Sequence, residues 1–204
     1  MHNPHHPASL RLPLREPTVK EGLWLAFFSA LAYAVTYSAN IYVVRAQEAF
    51  VGVAMFFLPA GVKLVAIMLA RYWAALGLLC VNFVHTLSFW NGLDLWQMMG
   101  VSLVWVGSTL LAVVVMSRLF NLAPDLKGLR FSQFVWLSLV AALFHGLAFN
   151  GYMVAIGIRR TSEWLGSAKA MALGDFLGSG AVMLILLVAF KLIQFARRRS
   201  QQSS

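Results

Sequence analysis

Acidic residues are scarce in this chain: seven Asp and Glu stand against sixteen Lys and Arg in 204 residues. Only one acid, Asp175, lies inside a hydrophobic segment. That shortage argues against metal-dependent phosphoryl or lipid transfer, which needs several carboxylates or other ligands in one place. A Walker loop, a G-x-S-x-G elbow, an H-E-x-x-H zinc motif and a paired-carboxylate motif are all missing, so the reading is non-enzymatic. The single cysteine, Cys80, excludes an intrachain disulfide, and its place in an apolar run assigns it to packing. Four of the six prolines fall in the polar opening MHNPHHPASLRLPLREPTVKEG, which lacks the pattern of a signal peptide, so the first helix is expected to act as its own insertion signal. Internal repeats are missing too, and no inverted three-plus-three symmetry supports the bundle.

What fills the chain is apolar. Hydrophobic residues make up 60% and charged residues only 11%, more apolar surface than a soluble domain of this length can bury. Runs near the ~20 residues needed to cross a bilayer recur along it. The expected fold is all-α: a polytopic, six-helix membrane bundle with spans at 22–44, 50–70, 73–92, 96–117, 131–157 and 166–192. Residues 1–21 form a polar tail and 193–204 a basic, disordered one. The longest loop carries Pro124, Asp125 and Gly128, which suit a turn.

The net charge of +9 is spread over helix ends, as membrane orientation requires, so nucleic acid is not an expected partner. One side holds Arg11, Arg15, Lys20, Arg71, Arg118, Lys127, Arg130, Lys191, Arg197, Arg198 and Arg199; the other holds Arg45, Arg159, Arg160 and Lys169. Eleven against four places both termini in the cytoplasm. Trp24, Trp73, Trp90, Trp96 and Trp164 fall near helix ends, where aromatic belts form.

Two helices carry small residues every fourth position: Ala26, Ala30, Ala34 and Ser38 in the first, and Gly166, Ala170, Gly174 and Gly178 in the last. Such faces let membrane helices approach closely, either within the bundle or against another membrane protein.

Three ionisable residues share one depth. His85 lies 14 residues beyond Arg71, His145 lies 15 beyond Arg130, and Asp175 lies 16 before Lys191. Each is roughly 21–24 Å from the cytoplasmic side. An isolated charge there costs ~2.5 kcal/mol or more, so the three are expected to face the interior, with either histidine able to hydrogen-bond Asp175. Asn82 sits one turn inward of His85, with Asn150 slightly further outward. Lys63, counted with this layer, lies about 12 Å above the cytoplasmic level and is expected to snorkel toward it or to bond backbone freed by Pro59; pairing with Asp175 would need its head to point the other way, across about another 12 Å of helix rise. Such a layer suits a small solute, a proton, a transition metal or structural hydrogen bonds alone, and it names neither a cofactor nor a metal. The tail histidines His2, His5 and His6 are a weak metal signal. Arg159 and Arg160, with Glu163 and Lys169, make either a solvated outer loop or an anion-attracting entrance.

Two stretches resemble the MASE-type membrane-associated sensor domains of bacteria. FFLPAGVKLVAIMLARYWAALGLLCVNF (56–83) is similar to that family's Pro-x-Gly segment with its basic-aromatic turn and following helix. LGDFLGSGAVMLILL (173–187) is similar to its late Gly-Asp-x-x-Gly element. The matching positions are Pro59, Gly61, Arg71, Trp73, Gly174, Asp175 and Gly178. The family usually has more helices and a proline after the late element, and it precedes signalling output domains. With none following here, the resemblance implies a bacterial inner-membrane sensor that binds something small and signals to a protein partner in trans. In architecture the chain also looks like the substrate-binding subunits of energy-coupling-factor transporters, which would give Ala26, Ala30 and Ala34 a partner-docking role. A structural or assembly subunit of a membrane complex is the third reading.

Overall fold

A computed structural model of the chain describes residues 17–42, 48–50, 53–122, 126 and 128–202. The expectations for His2, His5, His6, Arg11, Arg15, Arg45, Pro124, Asp125 and Lys127 lie outside the described residues. Five helices are long and apolar enough to cross a membrane: α1 (Val19–Tyr42), α2 (Leu58–Phe89), α3 (Leu95–Leu119), α4 (Phe131–Ala155) and α5 (Trp164–Gln202). Between α1 and α2 a short antiparallel pair, β1 (Glu48–Phe50) and β2 (Val53–Ala54), sets Glu48 opposite Ala54.

Five helices stand where six segments are expected, because one 32-residue helix, α2, covers the second and third of them. It is broken at Arg71, whose φ of 45° and ψ of −115° leave the helical region. A straight helix would separate Phe57 from His85 by about 42 Å. Instead the Phe57 ring lies 6.2 Å from that of Tyr37, which stacks 4.2 Å from His85. The chain therefore doubles back at Arg71, giving a leading limb over 58–70 and a returning limb over 72–89. The expected start at residue 50 also moves. Pro59 sits in the first turn of α2, where its missing N–H costs nothing, and Phe57 ahead of it leaves helical geometry at φ −125° and ψ 86°.

Glycines set how the limbs pack. A Cβ on Gly61 would lie 2.8 Å from the Gly178 carbonyl of α5, and one on Gly77 would lie 2.0 Å from the Ala26 carbonyl of α1. The leading limb is thus pressed against α5 and the returning limb against α1, and only residues without a Cβ permit that approach. On α5, Cβ atoms at Gly174 and Gly178 would strike the carbonyls of Ala54 and Phe57 at 2.2 and 2.0 Å. The extended segment lies directly on this glycine face, and the Phe57 N–H donates to the Gly174 carbonyl at 3.1 Å.

Capping marks two helix starts. Thr18 and Glu21 bond each other's main-chain N–H groups at 3.3 and 2.7 Å, and Asp94 and Gln97 do so at 2.8 and 3.0 Å. The interior packs Leu64, Ile67, Leu78, Val101, Leu137 and Phe149, all essentially inaccessible. The outer faces are apolar as well, with Phe27, Leu69, Leu103, Leu111 and Leu147 exposed. That surface is a liability in water and the normal one in lipid.

Three further expectations change. Helix α5 is 39 residues long and runs to Gln202, so the segment read as a disordered tail is helical. Its Lys- and Arg-rich end and high content of helix formers favour continuation. Cys80 is exposed on the returning limb rather than packed. Trp73 is half-buried over Gly22, whose Cβ would lie 2.1 Å from the indole, while Trp24 and Trp96 are exposed.

Candidate functional site

The site begins with Asp175. It is 4% exposed, on the face of α5 between Gly174 and Gly178. His145 on α4 approaches through the close contact of Gly146 with Ala168, where a Cβ would lie 2.6 Å from the carbonyl. Its Nδ1 hydrogen-bonds an oxygen of Asp175. Of the two histidines able to reach the carboxylate, His145 takes the bond.

Lys63 overturns its snorkelling expectation. It is 1% exposed, and its ammonium donates to the Trp105 carbonyl at 3.1 Å while lying 5.2 Å from the Trp105 ring centroid. With Asp175, Thr109 and Ser179 it borders a small space of about 10 Å³. The glycine contact at Gly61 holds the leading limb so close to α5 that the side chain enters the bundle. A carbonyl, an indole face and a nearby carboxylate there replace water.

On the other side of Asp175 lies a cavity of about 340 Å³. Tyr37, Asn40 and Ile41 of α1 line it, with Ala54 and Phe57 of the extended segment and Asn82, His85, Thr86, Phe89 and Trp90 at the end of the returning limb. Val101 and Trp105 of α3 and Met171 and Asp175 of α5 close it. Ile41 and Phe89 are exposed, so the cavity opens at the C-terminal ends of α1 and α2. Its floor includes the break before α2, where irregular backbone is tolerated at membrane depth because it faces a cavity. Asn40 caps that break by accepting from the Leu58 N–H at 3.0 Å.

The walls are aromatic and incompletely satisfied. His85 is half-buried and stacks on Tyr37, and its Nδ1 has no hydrogen-bond partner. Asn82 is buried and its Nδ2 is likewise unpartnered. The Phe57 ring meets Trp105 edge-on at 5.7 Å, and Trp105 in turn packs edge-on against His145 at 4.8 Å.

Asp175, His85 and Asn82 therefore share one cavity, with His145 and Lys63 behind Asp175. Asn150 does not belong there. It is buried, donates to the Gly146 carbonyl at 2.7 Å and accepts from the Arg159 guanidinium. Arg159 is itself buried, which corrects the picture of a solvated or anion-attracting arginine there. Burial lowers its pKa, opposed by the Glu163 carboxylate. The small-residue face of α1 turns inward, with Ala26 buried against Gly77 and Ala30 and Ala34 half-buried. Among the described residues no group of three His, Cys, Asp or Glu comes together to hold a metal. Sequence reasoning missed Tyr37, Asn40, Phe57 and Trp105. Trp105 alone left a signal: tryptophan favours helix ends, and this one lies in mid-helix.

Comparison with protein-family models, curated proteins and solved structures finds no match.

Proposed function

We propose that the chain is a non-enzymatic sensory or small-ligand-binding module of a bacterial inner membrane, acting through a protein partner. The observation that carries this reading is the 340 Å³ cavity at the broken start of α2, with Asp175 on its wall and unpartnered Asn82 and His85 nitrogens beside it. Small-molecule sites have this size, these apolar walls and this sparse set of polar groups. Buried polar atoms left without partners in the protein are those a ligand satisfies.

The two limbs of α2 serve as separate crossings, making six. The leading limb is about 20 Å long, and the chain from Val53 to Phe57 before it supplies the rest of the ~30 Å hydrocarbon layer. Both termini are cytoplasmic, as the Lys and Arg distribution requires.

The MASE-type resemblance rests on two stretches of the sequence. These, distant along the chain, meet where Gly61 faces Gly178 and Phe57 bonds Gly174, and Arg71 is the turn itself. The transporter-subunit reading loses ground, because Ala26 is already covered by Gly77.

Native mass spectrometry of the mildly solubilised full chain, beside Asp175→Asn, tests the proposal. The expected result is a bound small molecule on the native protein that is lost from the variant. An empty native protein carrying the same protein partner as the variant would overturn it in favour of a structural subunit.

A further inference from the structure

We propose that the cavity takes an uncharged, flat ring compound bearing both an N–H donor and an acceptor, of the heteroaromatic-amide class. This inference rests on the ligand-binding reading above and adds the chemistry of the ligand.

Charge comes first. Among the described residues, the Lys, Arg, Asp and Glu side chains bordering the small space beside Asp175 are that residue and Lys63, both buried, one acid and one base. Whether they stand as carboxylate and ammonium or as the neutral pair, one acid and one base sum to zero. A charged ligand adds an unbalanced charge to a low-dielectric interior, whereas a neutral one does not.

Shape follows from the walls. Tyr37 and His85 stack 4.2 Å apart at 26°, and the Phe57 ring meets Tyr37 edge-on at 6.2 Å and Trp105 edge-on at 5.7 Å, so the four rings form one continuous aromatic wall. A continuous aromatic wall favours a planar guest, which gains offset-stacked or edge-on contacts that a branched aliphatic one lacks.

The polar groups set the remaining requirement. Asn82, 5% exposed, presents an unpartnered Nδ2 and calls for a ligand acceptor. Asp175 accepts from His145 through one oxygen and retains lone pairs for a ligand N–H. A purely apolar ring of the same size would offer Asn82 no acceptor.

Three probes with one ring system separate the possibilities: neutral indole-3-acetamide, cationic tryptamine and anionic indole-3-acetate. Each is titrated calorimetrically into the full chain in lipid nanodiscs. The amide is expected to bind at least about tenfold more tightly than either charged analogue, a difference of ~1.4 kcal/mol. Asn82→Leu should weaken it by a similar factor, and so should Tyr37→Leu, which removes the ring stacked on His85. Preference for tryptamine overturns the proposal in favour of an organic-cation site, and preference for the acetate in favour of an anion site. If no probe binds while native mass spectrometry finds another small molecule in the cavity, the class is wrong and the ligand-binding reading stands. If no probe binds and the protein is empty, both fail.

Discussion

Lys63 and Trp105 are joined twice: the ammonium donates to the Trp105 carbonyl at 3.1 Å and lies 5.2 Å from the centroid of the same residue's ring. A lysine held this way cannot reach the membrane surface. Its charge is balanced inside the bundle, and Asp175, across the small shared space, is the group of opposite sign.

That balance predicts coupling. Lys63→Met leaves the Asp175 carboxylate without a nearby cation and should destabilise the protein strongly, by about 3–5 kcal/mol if the charge stays. Adding Asp175→Asn to that variant should recover at least about 1 kcal/mol relative to the sum of the single changes. Unfolding by steric trapping in bicelles measures all four corners of the cycle. Additive effects would mean that the two residues do not sense each other.

The reversal at Arg71 makes a geometric prediction independent of stability. Spin labels at Met55 and Phe89, both exposed and flanking the cavity, are placed in a Cys80→Ser background. Their separation by pulsed electron resonance should fall below roughly 25 Å, the breadth of a single small-molecule site with label arms added. An unbroken α2 would hold them more than about 45 Å apart.

Glycine positions on α5 divide into two kinds. A methyl at Gly178 would meet the Phe57 carbonyl at 2.0 Å, whereas one at Gly180 meets nothing within 4 Å. Gly178→Ala should therefore destabilise by about 1–3 kcal/mol through overpacking. Gly180→Ala should be neutral or stabilising by up to ~1 kcal/mol, because alanine is the better helix former. Equal effects at both sites would show that the extended segment does not rest on this face.

The same contrast explains what the sequence disclosed. Apolar runs marked most helix ends to within a few residues, because bilayer thickness and charge cost act on composition alone, but the start of α2 and the end of α5 fell eight and ten residues away. The common depth of His85, His145 and Asp175 was legible through the constant helical rise, and two of the three do meet. Rotation about each helix axis was not legible. It decides that His145 rather than His85 bonds Asp175, that Lys63 points inward, and that Tyr37 and Trp105 form cavity wall. The extended pair before α2 was also hidden, since its residues are as apolar as a helix and only Pro59 hinted at the break.

Two asparagines, both named from sequence as site residues, should respond to substitution in opposite ways. Asn150 is fully satisfied: it donates to Gly146 and accepts from buried Arg159, and it does not line the cavity. Asn150→Leu removes the acceptor of a buried cation and should cost about 1–3 kcal/mol of stability. Ligand affinity in the fraction that remains folded should not change. Asn82 has an unpartnered amide nitrogen within the cavity wall, so Asn82→Leu replaces an unmet donor with a methyl and should leave stability intact or raise it by up to ~1 kcal/mol. Affinity, not stability, is what it should lose. Measuring unfolding and titration on the same two variants makes the crossing visible. A parallel loss of stability in both would assign the Asn82 amide to the bundle's own structure and leave the cavity with no group reserved for a guest.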